Sequence, residues 1–310
     1  MNPMPDEKQT KPLVSIVILT WNSTRFMDTC LESLSRQTYH PFEVIIVDNA
    51  STDGTLARIE ASPWRAVVAR IITNPRNLGC AGGNNVGWKA SNGRIVIFLN
   101  PDTVVTRNWL DEMVRGIEAR PDAGVAGCKI YYPNSRVIQH AGGILHPNAM
   151  TDHIGNGLED TGQFDEEREV DYVTGAAFAV RREVLDALQG LDEDYHPAYY
   201  EETDLCWRAR EKGWKVIYLP GALLYHYESP GLVKYSPGFY ATYYRMRVRF
   251  LIKNYGLKRL LKDYLPFELR WMLREPKARH MRLRQVRAWA EGFAFLFKRL
   301  WRSSGNQGQK

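Results

Sequence analysis

The sequence has few of the features that mark zinc-binding, secreted or membrane-spanning proteins. Its four cysteines form no CxxC pair, which favours reduced cysteines packed in the interior over a zinc site. The first 12 residues are polar and include three prolines, so we expect no secretory signal. No apolar run reaches the roughly 18 residues that a membrane-spanning helix needs. These absences favour a globular protein of the cytoplasm.

Two common phosphate-binding motifs are also missing. The glycine-rich stretch 74–91 has no GxGxxG in register, and the sequence contains no GxxxxGK[ST] loop. A dehydrogenase or a nucleotidyltransferase built on these loops is therefore disfavoured. The glycines of this stretch still allow two interpretations, which are close approach of the backbone to a ligand and tight packing of a helix against a strand.

The charge is unevenly distributed along the chain. The 310 residues are 44% hydrophobic and 25% charged. Residues 245–310 hold 18 Lys or Arg and 4 Asp or Glu, whereas residues 1–244 hold 23 and 31. An acidic body with a basic C-terminal tail predicts an anionic partner surface or a docking face for the tail. Nucleic acid is the less favoured partner because no nucleic-acid-binding motif accompanies the charge.

Short apolar segments alternate with helical patterns. The segments are rich in β-branched residues, as in strands covered on both faces of a parallel sheet, and they lie at 13–19, 43–48, 66–72 and 94–100. Residues 23–37 and 108–119 have apolar residues at helical spacing. This order of elements predicts an α/β fold with a doubly wound, mostly parallel central sheet.

Polar side chains stand where three of these strands end. The first strand ends at Thr20-Trp21-Asn22, the second at Asp48, and the fourth at Asn100 and Asp102. The proline between Asn100 and Asp102 cannot donate to a strand ladder, so this strand must stop there. Ligands of doubly wound sheets bind beyond the carboxyl ends of the strands. The coincidence favours a binding cleft at this edge, although Asp48 alone would also suit a turn.

A cluster of acids marks the start of a predicted helix near residue 201. The helix dipole would stabilise Glu201, Glu202 and Asp204, which is one explanation for their presence. An inward-facing glutamate would instead acquire a raised pKa suited to a general base. His226 follows the next predicted strand and is either a loop histidine or a further cleft residue. The histidines at 140, 146 and 153 lack the spacing of a helical metal pair, so we expect them in loops or cleft walls.

Six segments, in this order, resemble the family 2 inverting glycosyltransferases with a GT-A fold. They are VSIVILTWNS, VIIVDNASTDGT, NLGCAGGNNVG, FLNPDT, EETDLCWRAREKGW and HYESPG, and together they extend to residue 231. The likeness is greatest to the rhamnosyltransferase-like branch that builds bacterial cell-surface polysaccharides and cell walls. It implies a GT-A catalytic domain at 13–235, preceded by a flexible N-terminus at 1–12 and followed by a helical C-terminal region at 236–310.

The resemblance implies a site for a nucleotide-diphosphate sugar. The residues that would line it are Thr20, Trp21, Asn22, Asp48, Asn77, Gly79, Gly83 and Asn100. The family's metal-binding acid pair corresponds to Asn100 and Asp102, so this chain keeps one of the two carboxylates. Asp102 and His226, together with phosphate oxygens, would hold Mg²⁺ or Mn²⁺.

The resemblance also implies a catalytic base. The family uses the second acid of a Glu-Asp pair, and this chain has Glu202 there, with Glu201 and Asp204 as supporting or structural acids. Glu202 would take the proton of an acceptor hydroxyl as its oxygen attacks the anomeric carbon and inverts its configuration. The implied reaction is metal-dependent transfer of rhamnose from dTDP-rhamnose to a glycan or a lipid-linked glycan. UDP-linked donors, and a non-catalytic nucleotide-sugar-binding protein of the same fold, are the alternatives.

The basic tail contains two amphipathic helical patterns. The first places Leu257, Leu260, Leu261, Tyr264 and Leu265 opposite Lys258, Arg259 and Lys262, and the second runs through Val286, Trp289, Phe293, Phe297, Leu300 and Trp301. Apolar faces flanked by Lys and Arg suit the anionic inner face of the cell membrane, where a lipid-linked acceptor would lie. The alternative is packing of these helices on the catalytic body or on a second copy of the chain.

Overall fold

The fold is built around one large mixed sheet with helices on both faces. The computed structural model describes residues 13–228, 236–274 and 284–295. In these ranges the strands are β1 (Val14–Thr20), β2 (Phe42–Asp48), β3 (Val68–Thr73), β4 (Ile95–Leu99), β5 (Thr103–Val105), β6 (Ala123–Tyr131), β7 (Ile138–His140), β8 (Gly143–Leu145), β9 (Thr151–His153), β10 (Arg168–Glu169), β11 (Ala177–Arg181) and β12 (Lys215–His226).

The helices of the described ranges follow most of the strands. They are α1 (Met27–Ser35), α2 (Thr55–Glu60), α3 (Gly79–Lys89), α4 (Trp109–Ala119), α5 (Arg182–Leu188), α6 (Glu201–Glu211), α7 (Pro237–Asn254), α8 (Leu257–Arg259), α9 (Leu265–Arg274) and α10 (284–295). A π-helical turn at Leu260–Tyr264 joins α8 to α9 without a break.

The strand order confirms the predicted α/β class. The large sheet runs β10-β12-β6-β11-β4-β1-β2-β3, with β5 paired to β12 and β7 paired to β6. Strands β4, β1, β2 and β3 are parallel to one another, and β12 is parallel to β6. Strand β11 is antiparallel to both β4 and β6 and joins the two parallel groups. The predicted parallel sheet is therefore one half of a wider mixed sheet.

Successive side chains of a strand point to opposite faces of the sheet, and the core therefore has two layers, one on each face. In β1, Ile16 and Ile18 pack with α1 and α4, whereas Val17 packs with α3, α5 and α6 on the other face. The glycine-rich stretch forms α3, and a Cβ at Gly87 would lie 2.2 Å from Val17 Cγ1. A Cβ at Gly83 would lie 2.3 Å from Leu19 Cδ1. At these two positions the glycines allow close packing of α3 on β1.

The C-terminal helices pack on the body. This is the packing alternative that the sequence analysis gave for the basic tail. In α7, Met246 and Phe250 lie in a buried cluster with Tyr200 and Trp207 of the α6 region. Sequence periodicity did not predict α7, although Ser236 and the following proline are a start signal. The Ser236 hydroxyl accepts a hydrogen bond from the main-chain N–H of residue 239 at 3.1 Å, and the proline occupies the first turn.

The predicted apolar face of residues 257–265 is wrong in detail. Leu260 and Tyr264 pack against the body, whereas Leu257, Leu261 and Leu265 are exposed. Glu268 fixes which side of this helix faces inward, because its buried carboxylate pairs with Arg247 of α7 at 2.5 Å and accepts a hydrogen bond from Asn148 of the body at 2.8 Å.

The second amphipathic pattern lies partly on α10. Trp289 packs on the body and its indole N–H donates to the Tyr264 hydroxyl at 3.2 Å, whereas Val286 and Phe293 are exposed. Its remaining positions, Phe297, Leu300 and Trp301, fall outside the described residues. Within the described ranges, no helix is both long and apolar enough to cross a membrane.

The three central histidines are not simply loop residues. His140 ends β7 and is buried, and its Nδ1 lies 2.9 Å from Nδ1 of His153, which ends β9. Burial lowers the pKa of His140 well below its usual value, with a smaller effect from His153. His146 lies in the β8–β9 turn and contacts Asp152 at 2.7 Å. Two of the three therefore belong to strands.

Asp204 ties α6 to its surroundings. Its buried carboxylate accepts hydrogen bonds from the Tyr195 hydroxyl at 3.0 Å and from Asn254 Nδ2 at 2.8 Å, and it pairs with Arg208 Nε at 2.5 Å. Arg208 also donates to the carbonyl oxygens of Leu188 and residue 190. These contacts join α5, α6 and α7, and they give Asp204 a structural role.

We predict that Asp204→Ala lowers the free energy of unfolding by about 3–5 kcal/mol, because it leaves the arginine side chain without its buried partner. Urea unfolding followed by circular dichroism measures the change. The matched control is Asp186→Ala on the exposed face of α5, which should stay within about 0.5 kcal/mol of the wild type. Equal unfolding midpoints for the two variants would contradict the structural role.

Candidate active site

The carboxyl ends of β1 and β2 form one rim of the site. Thr20 and Asp48 are direct neighbours in the parallel register, and the Thr20 hydroxyl donates to Asp48 Oδ1 at 3.1 Å. The main-chain N–H of Ser51 donates to Asp48 Oδ2 at 3.1 Å. Asp48 is buried, and these hydrogen bonds fix its carboxylate, as expected for a turn residue. Asp48 also lies at the end of β2, at the edge where a ligand would bind.

The β1–α1 loop is fastened to the β2–α2 loop. Asn22 has a left-handed backbone, with a φ of 53°, and its main-chain N–H donates to the Ser51 hydroxyl at 2.9 Å. Its side-chain Oδ1 accepts from the main-chain N–H of Thr52 at 2.8 Å. Trp21 projects from this loop and is 49% exposed. The loop thus presents an aromatic face beside the Thr20–Asp48 rim, which suits stacking on a planar base.

Asn49 joins this rim to the start of α3, and sequence reasoning did not single it out. Its Nδ2 donates to Asn77 Oδ1 at 2.9 Å and to the carbonyl oxygen of Gly79 at 3.2 Å. Its Oδ1 accepts from Asn74 Nδ2 at 3.1 Å and from a main-chain N–H at 3.0 Å. Its place directly after Asp48 at a strand end was the available signal. Asn49 sets the position of Asn77 and Gly79 relative to Asp48.

The start of α3 lies against the segment that leads to α6. Gly79 has a φ of 75°, and a Cβ there would lie 2.8 Å from His196 Cδ2 and 2.9 Å from the Pro197 carbonyl oxygen. The main-chain N–H of Cys80 donates to that same carbonyl at 2.8 Å. Glycine is required at position 79 by both the backbone and the close approach. Gly83, in contrast, faces β1.

Two adjacent glutamates open α6 directly after a strained stretch. Tyr199 and Tyr200 have left-handed φ angles of 78° and 72°, which are uncommon for aromatic residues. Burial raises the pKa of Glu201 well above its usual value, and the neighbouring Glu202 raises it further. The Cys80 thiol forms a hydrogen bond with Glu201, and Glu201 Oε2 is buried with no hydrogen-bond partner among the described residues.

The pKa of Glu202 is also raised, and it lies near neutral pH. Burial raises the pKa of Glu202 to about 7, while hydrogen bonds from main-chain groups and from Thr203 act in the opposite direction. A carboxyl group with this pKa is half ionised near neutral pH. That is the range in which a general base is most effective.

A short path of contacts leads from Glu202 to the end of β4. A Cβ placed on Gly175 would lie 3.7 Å from the Glu202 carboxyl carbon. The next residue, Ala176, accepts a hydrogen bond at its carbonyl oxygen from the main-chain N–H of Asn100 at 2.9 Å. The Asn100 carbonyl oxygen in turn accepts from the Thr103 hydroxyl at 2.7 Å. Glu202 and the Asn100–Asp102 turn therefore belong to one edge of the sheet.

Asp102 and His226 meet at the end of β12. Strand β5 follows the Asn100–Asp102 turn and pairs with β12, which places Thr103 opposite His226. The main-chain N–H of Tyr227 donates to the Asp102 carbonyl oxygen at 2.9 Å. Asp102 Oδ1 lies 3.2 Å from His226 Nε2, and the two side chains are only 5% and 14% exposed. Two residues that are 124 positions apart in sequence are thus brought together as predicted.

This pair suits a divalent cation. Ligands of an octahedral Mg²⁺ ion lie about 2.1 Å from the metal and hence about 3 Å from each other, close to the 3.2 Å between Asp102 Oδ1 and His226 Nε2. Carboxylate oxygen suits both Mg²⁺ and Mn²⁺, whereas imidazole nitrogen suits transition-metal ions, so the pair favours Mn²⁺ over Mg²⁺. Among the residues that the structure describes, no three His, Cys, Asp or Glu side chains form a metal-binding group. A bound ion would therefore take its other ligands from phosphate oxygens or water.

Comparison with known proteins assigns the chain to a family. The sequence model of glycosyl transferase family 2 matches residues 15–189, which is more than half of the chain. The O-antigen biosynthesis protein RfbC of Myxococcus xanthus is 33% identical over 227 residues, which cover 70% of this chain and 17% of RfbC. The N-acetylglucosaminyl-diphospho-decaprenol L-rhamnosyltransferase of Mycobacterium tuberculosis is 26% identical over 284 residues, which cover 84% of this chain and 89% of that protein.

A solved structure confirms the fold. The mannosyltransferase PcManGT from Pyrobaculum calidifontis, in complex with GDP-Man and Mn²⁺, matches 92% of this chain and 76% of its own chain with a TM-score of 0.58 at 18% identity. The share of this chain covered by the structural similarity is larger than the share matched by the family model. The doubly wound sheet is thus of the GT-A class, and the chain belongs to glycosyl transferase family 2.

Proposed function

We propose that the protein is an inverting, metal-dependent glycosyltransferase. In this proposal it moves a sugar from a nucleotide diphosphate to a hydroxyl group of a glycan or a lipid-linked glycan. The observation that carries the proposal is the single edge on which Glu202 and the Asp102–His226 pair both lie, joined through Gly175, Ala176 and Asn100. A base and a cation-binding pair on one edge are what displacement of a diphosphate requires.

Glu202 is the base in this proposal. Its pKa of about 7 makes it both available in ionised form and basic enough to take a proton at neutral pH. Burial and the neighbouring Glu202 raise the pKa of Glu201 well above its usual value, so Glu201 stays protonated beside its neighbour; the contact with the Cys80 thiol acts in the opposite direction and is the smaller effect. The methylene that Glu202 has in excess of an aspartate is accommodated beside Gly175, which has no side chain.

The reaction is a single displacement. The carboxylate of Glu202 takes the proton of the acceptor hydroxyl while the hydroxyl oxygen forms a bond to the anomeric carbon. The bond from that carbon to the diphosphate oxygen breaks on the opposite face, and its electron pair leaves with the nucleotide diphosphate. The configuration at the anomeric carbon is inverted. Asp102 and His226 would hold Mg²⁺ or Mn²⁺, which neutralises negative charge on the departing diphosphate.

The nucleotide lies along the β1–β2 rim in this proposal. Trp21 and Asn22 face the base, Asp48 the base or the ribose, and Asn77 and Gly79 the nucleotide and sugar. Asn100 would contact the nucleotide from the β4 side. Gly83 is the exception among the predicted donor-site residues, since its missing side chain serves the contact with Leu19. Its part in the site is indirect, through the position of α3.

The donor proposed is dTDP-rhamnose, and the pathway is synthesis of a cell-surface polysaccharide. The support is the similarity over 84% of this chain to a protein named as an L-rhamnosyltransferase, which acts on a diphospho-decaprenol-linked sugar according to its name. Similarity to an O-antigen biosynthesis protein points to the same kind of pathway. UDP-linked sugars are the second class of donor to test.

The acceptor proposed is a lipid-linked saccharide at the inner face of the cell membrane. Five leucines, each four residues from the next, form an exposed row along α8, the π turn and α9, with exposed fractions of 43–73%: Leu257, Leu261, Leu265, Leu269 and Leu273. The residue after each leucine is exposed and is basic in four cases, Lys258, Lys262, Arg270 and Arg274. Apolar side chains beside cations are the pattern of an interfacial helix.

The leucine row also defines the role proposed for residues 236–310. In this proposal the catalytic domain at 13–235 carries the chemistry, and the helical region holds it on the membrane with the leucine row outward. Helix α7 packs on the body through Phe250, and α9 is joined to the body by the hydrogen bond from Asn148 to Glu268, so the orientation of the row relative to the cleft is fixed.

We predict that Glu202→Gln lowers the turnover of donor and acceptor about 10²–10⁴-fold and leaves donor binding unchanged, because only proton removal is lost. In the wild type, kcat/KM should rise with pH through about 7, since Glu202 is protonated and inactive below its pKa of about 7. The residual rate of the variant should lack this rise. Release of dTDP from dTDP-rhamnose with a saccharide acceptor measures both quantities.

The matched control is Glu211→Gln, at the exposed end of the same helix, which should retain full activity. Full activity of Glu202→Gln would place the base elsewhere, and Glu201→Gln would then be the next variant. Donor binding without transfer to any acceptor by the wild type would favour the non-catalytic binding protein.

We predict that replacing Leu261 and Leu265 together by glutamate weakens binding to vesicles of phosphatidylglycerol and phosphatidylcholine at least about 10-fold. Each exposed leucine contributes apolar area at the interface, and the added carboxylates repel the anionic surface. Co-sedimentation measures the binding. The matched control is Leu158→Glu, which alters an exposed leucine of the body and should leave binding unchanged. Unchanged binding of the double variant would remove the membrane role, and a loss of dimers on gel filtration would assign the row to a second copy.

A further inference from the structure

The side chain of Gln139 makes two contacts to a single residue, His226. Gln139 lies in β7 and is 5% exposed. Its Nε2 lies 3.3 Å from the main-chain carbonyl oxygen of His226, and its Oε1 lies 2.7 Å from His226 Nδ1. Strand β7 reaches His226 across β6, since β6 pairs with both β7 and β12. Neither the sequence motifs nor the proposed mechanism gives this buried glutamine a role.

These contacts determine which imidazole nitrogen carries the proton. A carbonyl oxygen can only accept, so the amide nitrogen of Gln139 must be the atom that faces it. The amide oxygen then faces His226 Nδ1, and it too can only accept. The hydrogen bond at 2.7 Å therefore requires a proton on Nδ1. In the neutral ring the other nitrogen, Nε2, carries a lone pair.

The lone pair of Nε2 faces a carboxylate. His226 Nε2 lies 3.2 Å from Asp102 Oδ1, and both side chains are largely buried. Two atoms that each carry a lone pair therefore face each other. Two such atoms repel each other unless a proton on Nε2 or a metal cation lies between them. The geometry is that of two adjacent ligands of one cation, and the glutamine supplies the outer hydrogen bond that orients a ligating histidine.

We propose that Gln139 is a positioning residue of the donor site, which holds His226 in the Nδ1–H tautomer so that Nε2 is free to bind the divalent cation. This inference rests on the proposed function, because it takes the cation to be held by Asp102 and His226. The glutamine acts through the histidine and touches neither the sugar nor the diphosphate. Its neutral side chain fixes the tautomer without changing the net charge of the site.

We predict that Gln139→Met weakens Mn²⁺ binding about 10–100-fold, the range found when an outer hydrogen-bond partner of a metal ligand is removed. Methionine has a similar volume, so the variant keeps the packing of β7 and loses both hydrogen bonds. Electron paramagnetic resonance of free Mn²⁺, titrated with the full-length protein and dTDP, measures the dissociation constant. The matched control is Gln163→Met on an exposed loop, which should bind Mn²⁺ as the wild type does.

A second measurement reads the tautomer in the metal-free protein and needs no activity. In ¹⁵N spectra recorded at alkaline pH, where the ring is neutral, wild-type His226 should show the Nδ1–H tautomer. The signal is assigned by its absence in His226→Ala. In Gln139→Met the Nδ1–H population should fall. A merely structural glutamine would lower the melting temperature of the variant and leave both the tautomer and the Mn²⁺ affinity unchanged.

Three results would overturn the inference. An Nε2–H tautomer in the wild type refutes the hydrogen-bond assignment, whatever the enzyme does. If the folded Gln139→Met variant binds Mn²⁺ as tightly as the wild type does, the positioning role is refuted and the proposed function is unaffected. If the wild type binds no Mn²⁺, both the positioning role of Gln139 and the proposed metal-dependent function are refuted. This result therefore differs from the one that refutes the positioning role alone.

Discussion

The meeting of Asp102 and His226 is the constraint on which the rest of the site depends. Strand β12 pairs first with β6, passes an irregularity between Leu219 and Leu223, and then also pairs with β5. Side chains alternate along a strand, so a shift of one residue in this register would turn His226 to the opposite face of the sheet. The irregularity and the pairing with β5 together bring the histidine to the carboxylate.

The position of the Glu201–Glu202 pair depends on the left-handed backbone of the two preceding tyrosines, which the C-terminal region helps to stabilise. The left-handed Tyr199 and Tyr200 aim the first turn of α6, and such conformations persist only where the surroundings impose them. The Tyr200 hydroxyl donates to the Ala149 carbonyl oxygen at 2.5 Å, and Tyr199 packs edge-on against Phe239 of α7. Helix α7 is thus a support of the glutamate pair as well as part of the C-terminal region.

The strands, and the edge of the sheet at which polar residues collect, could be predicted from the sequence for physical reasons. β-branched runs such as that of β1 are rare outside buried strands, and polar residues such as Asp102 directly after a run mark the edge at which parallel strands end together. The expectation that Asp102 and His226 share a cation site came from the resemblance of ordered motifs, since no local pattern links residues 124 positions apart in the sequence.

The remaining features depend on tertiary contacts that no local pattern encodes. Helix α7 lies in the region expected to be helical, but apolar spacing did not mark its bounds because it is apolar on several sides, as a helix between the body and α10 must be. The choice between Leu260 and Leu261 as the inward residue is decided by the Arg247–Glu268 pair and the π turn. Asn49 and Gln139 are ordinary polar residues in the sequence, and only their hydrogen-bond partners reveal what they position.

The most direct test of the account is the dependence of donor turnover on a cation held by Asp102. Release of dTDP from dTDP-rhamnose is measured for the wild type with Mn²⁺, for the wild type after chelation, and for Asp102→Asn with Mn²⁺. If Asp102 holds the cation, turnover falls to background after chelation and in the variant, while the variant stays folded by circular dichroism. Undiminished turnover in either case would contradict the account.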